Sequence, residues 1–205
     1  MSDGLPSFLP PALIQESTRV GLTRNERLFH VGEKAEHIHF VLEGELLAVR
    51  YLIDGSEAVM QRARDGEFFA QSAMLVPHYS CDARAASPTE VVRIPVRELR
   101  DALSSNGGFA MAFAGQLAAD LRRQCTRVER LRIKRARDRV RHYLVCEGPL
   151  RGGGVKLQDW ARELGLEPET LYRTLAELEA SGEIRRENGG VIPVQMAPAR
   201  ENCSG

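Results

Sequence analysis

The feature that most constrains the fold is a long stretch without proline in the middle of the chain, from Gly108 to Gly148. Because proline interrupts a helix, its absence here allows one long helix. Apolar or small residues recur along this stretch in steps of three and four, which is a heptad pattern. The stripe comprises Ala110, Ala114, Leu117, Leu121, Val128 and Leu131, with the polar Gln124 among them. We therefore predict a helix over residues 107–134 that separates two differently built halves.

This predicted helix has the pattern of a dimerisation element. Arginines crowd the flanks of its apolar stripe, and a narrow stripe is typical of a two-stranded parallel coiled coil. Gln124 within the stripe costs stability but can fix the register and the oligomeric state. Packing of the helix on the chain's own N-terminal domain is the alternative. The predicted homodimer interface consists of Ala114, Leu117, Leu121, Gln124, Val128 and Leu131.

The N-terminal part, residues 1–106, has the pattern of a sheet domain. Its glycines Gly32, Gly44, Gly55 and Gly66 are spaced 12, 11 and 11 residues apart. Short runs rich in β-branched and aromatic residues lie between and after them, at 39–42, 46–51, 58–60 and 91–95. The pair Asp54-Gly55 is a hairpin signal, because glycine tolerates the positive φ of tight turns. Short strands at this spacing predict a β-sandwich or barrel, followed by a helix over 97–103.

The C-terminal part, residues 135–205, has the pattern of a winged helix-turn-helix. A short helix over 157–164 is stopped by Gly165, and a second helix over 168–178 begins at Pro168, a residue suited to the first helical position. Two short strands, 184–186 and 191–194, predict a hairpin wing. Four leucines of the two helices predict one buried face, which leaves Pro168, Glu169, Tyr172 and Arg173 facing outward; the leucines are Leu164, Leu171, Leu175 and Leu178.

The net charge of zero, from 28 basic and 28 acidic side chains, conceals a local excess. Residues 107–151 hold 11 basic and 4 acidic side chains, and acidic side chains outnumber basic ones on both sides of that range. The basic stretch from Arg122 to Arg141 is predicted to supply a general attraction for polyanions. No apolar run could span a bilayer, and residues 1–6 do not resemble a signal peptide, so a cytoplasmic protein without a membrane partner is expected. No nucleophile–base pair, metal-ligand spacing or phosphate-binding motif indicates an enzyme.

Three motifs in order resemble the CRP/FNR family of bacterial transcription regulators over residues 20–195. They are Gly66-Glu67-Phe68-Phe69, Arg135-Ala136-Arg137-Asp138-Arg139-Val140 and Glu169-Thr170-Leu171-Tyr172-Arg173. The resemblance implies an α+β fold with an N-terminal β-roll (jelly-roll-like) domain, a long dimerisation helix and a C-terminal winged helix-turn-helix. It also implies a homodimer that binds a near-palindromic double-stranded DNA operator and acts with RNA polymerase. A signalling module that does not bind DNA is the alternative function.

The resemblance assigns base reading to Glu169 and Arg173. A carboxylate can accept from cytosine N4, and arginine can bind guanine O6 and N7 with two hydrogen bonds. Lying four residues apart on one helix face, the pair could also form a surface ion pair. Pro168 occupies a position where some relatives have another contact. The predicted DNA-binding residues are Gln158, Pro168, Glu169, Thr170, Tyr172, Arg173, Arg185 and Arg186.

The predicted effector pocket departs from the cyclic-nucleotide-binding pattern of the family. Gln71 stands at the usual glutamate position, Ala70 at the usual glycine and Tyr79 at the usual arginine, whereas Ser80 is retained. Burying a cyclic phosphate without a paired cation is costly, so cyclic nucleotide is not expected to bind. The effector is an unidentified small molecule or none. The predicted pocket residues are Glu67, Gln71, Ser72, Tyr79, Ser80, Gln124 and Cys125.

No cofactor and no metal are expected. An iron–sulfur cluster usually needs four thiolates, and the chain has no cysteine before Cys81, where the iron–sulfur branch of the family carries its ligands. Haem sensing stays open as an alternative, with His78 and Cys81 near the pocket loop. Redox sensing through Cys125 on the long helix is a further alternative.

Overall fold

The computed structural model describes residues 4–150 and 157–194. The chain divides within its long helix into two compact units, Met1–Leu117 and Ala118–Gly205. The first and last residues of the predicted domains, 1 and 205, lie outside the described residues, as do residues 1–3 of the N-terminal segment 1–6. The domain limits 1–106, 107–134 and 135–205 stay a prediction.

The N-terminal unit is a sandwich of two four-stranded antiparallel sheets. One sheet has the order β1-β8-β3-β6 and the other the order β2-β7-β4-β5. Its strands are β1 (Thr18–Leu22), β2 (Arg27–Phe29), β3 (His37–Glu43), β4 (Glu45–Tyr51), β5 (Glu57–Arg64), β6 (Phe68–Phe69), β7 (Asp82–Ala85) and β8 (Thr89–Pro95). The four predicted runs lie within β3, β4, β5 and β8, which confirms the β-roll. Sequence reasoning missed the other four strands.

Two of the turn glycines have clear structural reasons. Gly55 closes the β4–β5 hairpin with a φ of 80°, as the Asp54-Gly55 signal predicted. Gly44 joins β3 to β4 with a φ of 96°, and a Cβ there would lie 2.4 Å from the Pro88 carbonyl oxygen. That separation is far shorter than any van der Waals contact, so only glycine fits between these two strands.

Helices cover one side of the sandwich. They are α1 (Pro11–Gln15), a 3-10 turn (Gln71–Met74), α2 (Val96–Ser105) and the first part of α3 (Gly107–Arg132). Phe109 and Phe113 of α3 are buried in the core of the N-terminal unit. The Phe113 ring packs edge-on against Phe68 of β6 with ring centroids 5.4 Å apart. The long helix therefore begins as part of the β-domain.

The C-terminal unit is a winged helix-turn-helix. Beyond α3 it contains α4 (Ala136–Cys146), α5 (Leu157–Glu163), α6 (Pro168–Ala180), β9 (Ile184–Glu187) and β10 (Gly190–Pro193). β9 and β10 pair antiparallel as the wing, turning at Asn188-Gly189. The single tryptophan, Trp160 of α5, is fully buried and packs edge-on against Tyr143 of α4 at 5.2 Å. The four leucines predicted to form the inner face are all buried around it.

Candidate nucleic-acid interface

The outer face of α6 carries the side chains predicted to read DNA. Pro168 starts the helix, and Glu167 caps it without a side-chain hydrogen bond. Leu171, Thr174, Leu175 and Leu178 face the core, so helical periodicity turns the intervening residues outward. Glu169, Tyr172 and Arg173 are exposed, whereas Pro168 and Thr170 are half-buried.

Glu169 and Arg173 are unpaired within the described part of the chain. They make no ion pair with each other, so the surface-pair alternative does not apply there. An arginine with five unused donors and a carboxylate with free lone pairs lie on one exposed helix face, near the end that starts the helix. Two such groups can bind base edges without breaking an internal contact.

The predicted flanking contacts have mixed surroundings. Gln158 of α5 is exposed. Arg185 of the wing is exposed and lies 3.1 Å from the Glu187 carboxylate. Arg186 is bound more tightly, because its Nε donates to Glu179 at 2.7 Å and its backbone N–H donates to the same carboxylate. Arg186 would have to bind a phosphate through its remaining guanidinium N–H groups or give up these bonds.

The acidic side chains of the wing region are largely neutralised by these contacts. Glu179 binds Arg186, and Glu187 pairs with Arg185. Hydrogen bonds from the side chain and the backbone of Arg186 lower the pKa of Glu179. Glu177 remains exposed on the same outer face of α6 as Arg173, two turns beyond Glu169.

Part of the basic stretch is bound by acidic side chains of the same unit. Arg137 and Arg141 of α4 both hydrogen-bond to Glu183, with Arg141 Nε at 2.6 Å from Glu183 Oε2. Hydrogen bonds, first from Arg141 and then from Arg137 and Ser181, lower the pKa of Glu183 to about 2. Arg130 is fully buried, stacked 4.7 Å from the Tyr143 ring centroid and paired with Glu147. These arginines are therefore held by carboxylates distant in sequence, and the general attraction of the basic stretch for DNA stays a prediction.

The predicted dimer stripe is mostly exposed. Ala114, Leu121, Gln124, Val128 and Leu131 are exposed, whereas Leu117 is half-buried and packs against the core of the β-domain. The exposed face also includes residues that the heptad reading omitted. They continue a three-and-four spacing through Met111, Ala114, Ala118, Leu121, Cys125 and Val128. We call this set the α3 stripe.

Two of the predicted effector-pocket residues, Gln71 and Glu67, make hydrogen bonds within the protein. Gln71 is buried, its Oε1 accepts from Gln61 Nε2 at 3.1 Å, and its Nε2 donates to the Phe68 carbonyl at 3.1 Å. Glu67 accepts from the Arg64 backbone N–H at 3.0 Å. Ser72 and Ser80 are exposed on the N-terminal unit, and Gln124 and Cys125 are exposed on α3 in the C-terminal unit.

Tyr79 belongs to the core and does not line a phosphate site. Its ring stacks on Phe29 with centroids 3.6 Å apart, and its hydroxyl donates to the His37 carbonyl at 2.7 Å. Desolvation raises the pKa of this phenol. The side chain of Tyr79 is therefore engaged in the core of the β-domain, and its role as a pocket residue stays a prediction.

Ala70, at the position where the family usually has glycine, adopts a backbone conformation that favours glycine. Its φ of 60° is left-handed, just before the 3-10 turn. An alanine in this region costs about 1 kcal/mol that a glycine does not.

Sequence and structure comparisons place both units. Residues 19–106 match the cyclic nucleotide-binding domain. The cAMP-activated global transcriptional regulator CRP of Pasteurella multocida is 25% identical over 163 residues, which cover 74% of this chain and 78% of that protein.

Two solved structures share this fold over most of the chain. FixK2 of Bradyrhizobium japonicum superposes with a TM-score of 0.77 at 21% identity, covering 87% of this chain and 93% of that one. TTHB099, a CRP-family transcriptional regulator of Thermus thermophilus, gives a TM-score of 0.70 at 20% identity, covering 91% and 97%.

The N-terminal unit is thus a domain of the cyclic nucleotide-binding class. The similarity to CRP/FNR-family transcription regulators that the three motifs predicted is confirmed, because CRP is similar over most of the chain and a CRP-family regulator shares its fold. The CRP relative and TTHB099 are both described as transcriptional regulators. Among the described residues, no helix is long and apolar enough to cross a membrane, and no three His, Cys, Asp or Glu side chains are grouped to hold a metal.

Proposed function

We propose that this chain is a homodimeric, sequence-specific DNA-binding regulator that acts in the cytoplasm with RNA polymerase. The observation that carries the proposal is the outer face of α6, where Glu169 and Arg173 are exposed and unpaired within the described residues. Arginines that bind carboxylates are otherwise common in this unit, so an unpaired Arg173 is available for an external partner. Guanine edges in the major groove fit that chemistry.

Selection of bound DNA from genomic fragments tests the proposal. The enriched fragments should share a near-palindromic motif, because a two-fold dimer reads two half-sites about one helical turn apart. Affinity for that motif, measured by fluorescence anisotropy, should fall steeply with salt as phosphate counterions are released. Enrichment without any shared motif contradicts sequence-specific binding and favours a module that binds protein.

The dimer is proposed to form through the α3 stripe. Met111, Leu121 and Val128 have exposed fractions of 74%, 65% and 59%, which is unusual for large apolar side chains at heptad spacing. A second copy in parallel would bury all of them. Sedimentation should give a dimer for the wild type and a monomer for Leu121→Asp, whereas Arg122→Asp on the flank should stay dimeric.

The β-domain is proposed not to use a cyclic nucleotide, although the CRP relative is described as cAMP-activated. The intramolecular bonds of Gln71 and the buried Tyr79 leave the expected sugar and phosphate positions without their usual carboxylate and cation. Saturating cyclic AMP should change neither the melting temperature nor the DNA affinity. A rise in either contradicts this part of the proposal, and a visible absorption band in purified protein would identify haem instead.

A further inference from the structure

Arg139 of α4 joins two helix ends of the C-terminal unit. Its Nε and Nη2 donate to the Ile133 carbonyl at 3.1 and 2.7 Å, and Nη2 also lies 3.4 Å from the Leu131 carbonyl. Its Nη1 donates to the carbonyls of Leu164 and Gly165, both at 2.8 Å. One guanidinium therefore binds the end of α3 and the end of α5 together.

The turn of the helix-turn-helix packs against the same place. Gly165 has a φ of 60°, which favours glycine. A Cβ added there would lie 3.0 Å from Leu131 Cδ2 and 3.4 Å from Arg139 Nη1. The turn thus lies in close contact with the last turn of α3, and the space allows no larger residue without a shift.

The chemistry of this contact makes it directional. The last carbonyls of a helix lack intrahelical partners and carry partial negative charge, so a cation stabilises them. Arginine presents five donors in a planar fork, which fixes the direction of each bond as well as its length. Lysine keeps the charge, but its flexible ammonium cannot hold four carbonyls from two helices in one plane.

We propose that Arg139 is a positioning residue that sets the orientation of α5 and α6 relative to the end of α3. The inference rests on the proposed function, because it concerns a dimer that reads two half-sites. If the two copies join through α3, the orientation of each α6 relative to the end of its own α3 determines the distance between the two α6 helices of the dimer. Arg139 therefore determines which half-site spacing the dimer accepts, while its own donors stay inside the protein.

The test uses the full-length protein and three DNAs derived from the selected motif: the two-half-site operator, the same operator with one base pair inserted, and a single half-site. Arg139→Lys and Arg139→Gln are compared with Arg135→Lys, the same substitution at an exposed neighbour. For the Arg139 variants, single-half-site affinity should stay within about twofold of the wild type. Operator affinity should fall about 10-fold, and discrimination against the inserted base pair should largely disappear, because a loosened linkage lowers the effective concentration of the second half-site. The Arg135→Lys protein should keep the wild-type operator affinity and the wild-type discrimination against the inserted base pair.

Two results in the Arg139 variants overturn the inference. The first is wild-type discrimination in Arg139→Lys. The second is an equal loss on the single half-site and the operator, since it indicates a general effect on folding or DNA contact. Trp160 fluorescence reports folding of the C-terminal unit independently, because the only tryptophan is buried there. A wild-type protein that selects no motif contradicts the proposed function itself, and the inference with it.

Discussion

The arginines of α4 and the arginine of α6 carry the same charge in the same unit, yet their surroundings are opposite. Arg137 and Arg141 bind Glu183, and Arg139 binds backbone carbonyls. Arg173 is exposed and without an ion pair in the described chain. Several arginines of a dense basic run here stabilise the fold, whereas Arg173, in an acidic segment, is exposed and available for recognition. Local charge therefore depends on the partners that folding supplies as well as on composition.

The largest expected effect is the loss of DNA affinity on removing the exposed arginine, Arg173. Arg173→Ala should lower affinity for the selected operator about 10- to 100-fold, because one bidentate base contact discriminates by about 1–3 kcal/mol. Its unfolding free energy should be unchanged, since the side chain makes no ion pair within the described residues. Fluorescence anisotropy on matched and mismatched operators measures the affinity, and urea unfolding measures the free energy of unfolding. Full affinity in this variant would remove Arg173 from the reading face.

The converse experiment removes the partner of the internal arginines. Glu183→Gln should lower the unfolding free energy of the C-terminal unit by about 2 kcal/mol, because hydrogen bonds to a charged group each contribute about 1.5–3 kcal/mol and glutamine retains part of them. Urea unfolding followed by Trp160 fluorescence measures this loss. Glu177→Gln, on the exposed face of α6, is the matched control and should change stability little. Equal stability of the Glu183 variant and the wild type would show that the ion pairs are dispensable.

Low pH should remove the stability difference between the wild type and Glu183→Gln. The folded-state pKa of Glu183 is lowered to about 2 from an ordinary value of 4.5, chiefly by the Arg141 hydrogen bonds. A lowered pKa means that the stabilisation is present above pH 4.5 and is lost as the pH falls towards 2. The gap in unfolding free energy between wild type and Glu183→Gln should therefore narrow over that window. A gap that stays constant across the whole window would place the effect elsewhere.

The smallest expected effect is on the salt dependence of operator binding. If Arg137 is committed to Glu183, Arg137→Gln should leave the salt slope of operator binding nearly unchanged, whereas loss of a true phosphate contact lowers the slope by about 1. Arg185→Gln, at the exposed wing, supplies that comparison. A slope reduced equally in both variants would mean that DNA displaces Glu183 and restores the cationic surface that the sequence predicted.

Elements with strong local signals were predictable. Proline at 168 and glycine at 165 mark the start of α6 and the end of α5, and the observed helices agree with the predicted ones within two residues. β1 and β7 were missed because their sequences, TRVGL and DARA, show neither clean alternation nor high β-propensity. Both form through ladders with distant strands, β8 and β4 respectively.

Only part of the candidate site could be predicted, because local sequence patterns do not reveal contacts between residues far apart in the chain. Exposure of Glu169 and Arg173 follows from the helical period alone. The pairing of Arg141 with Glu183 joins residues 42 positions apart, so no local pattern reveals it. The burial of Tyr79 likewise depends on Phe29, which lies in a strand that sequence reasoning did not find.

The buried side-chain amide of Gln71 has a consequence for regulation. A small molecule that entered there would first have to break two internal hydrogen bonds and replace both, since a buried amide left unpaired costs about 1–3 kcal/mol. If the chain is the DNA-binding regulator proposed above and no ligand meets this cost, its promoter occupancy would follow the amount of protein in the cell. Control would then lie in the synthesis and degradation of the chain rather than in the concentration of a metabolite.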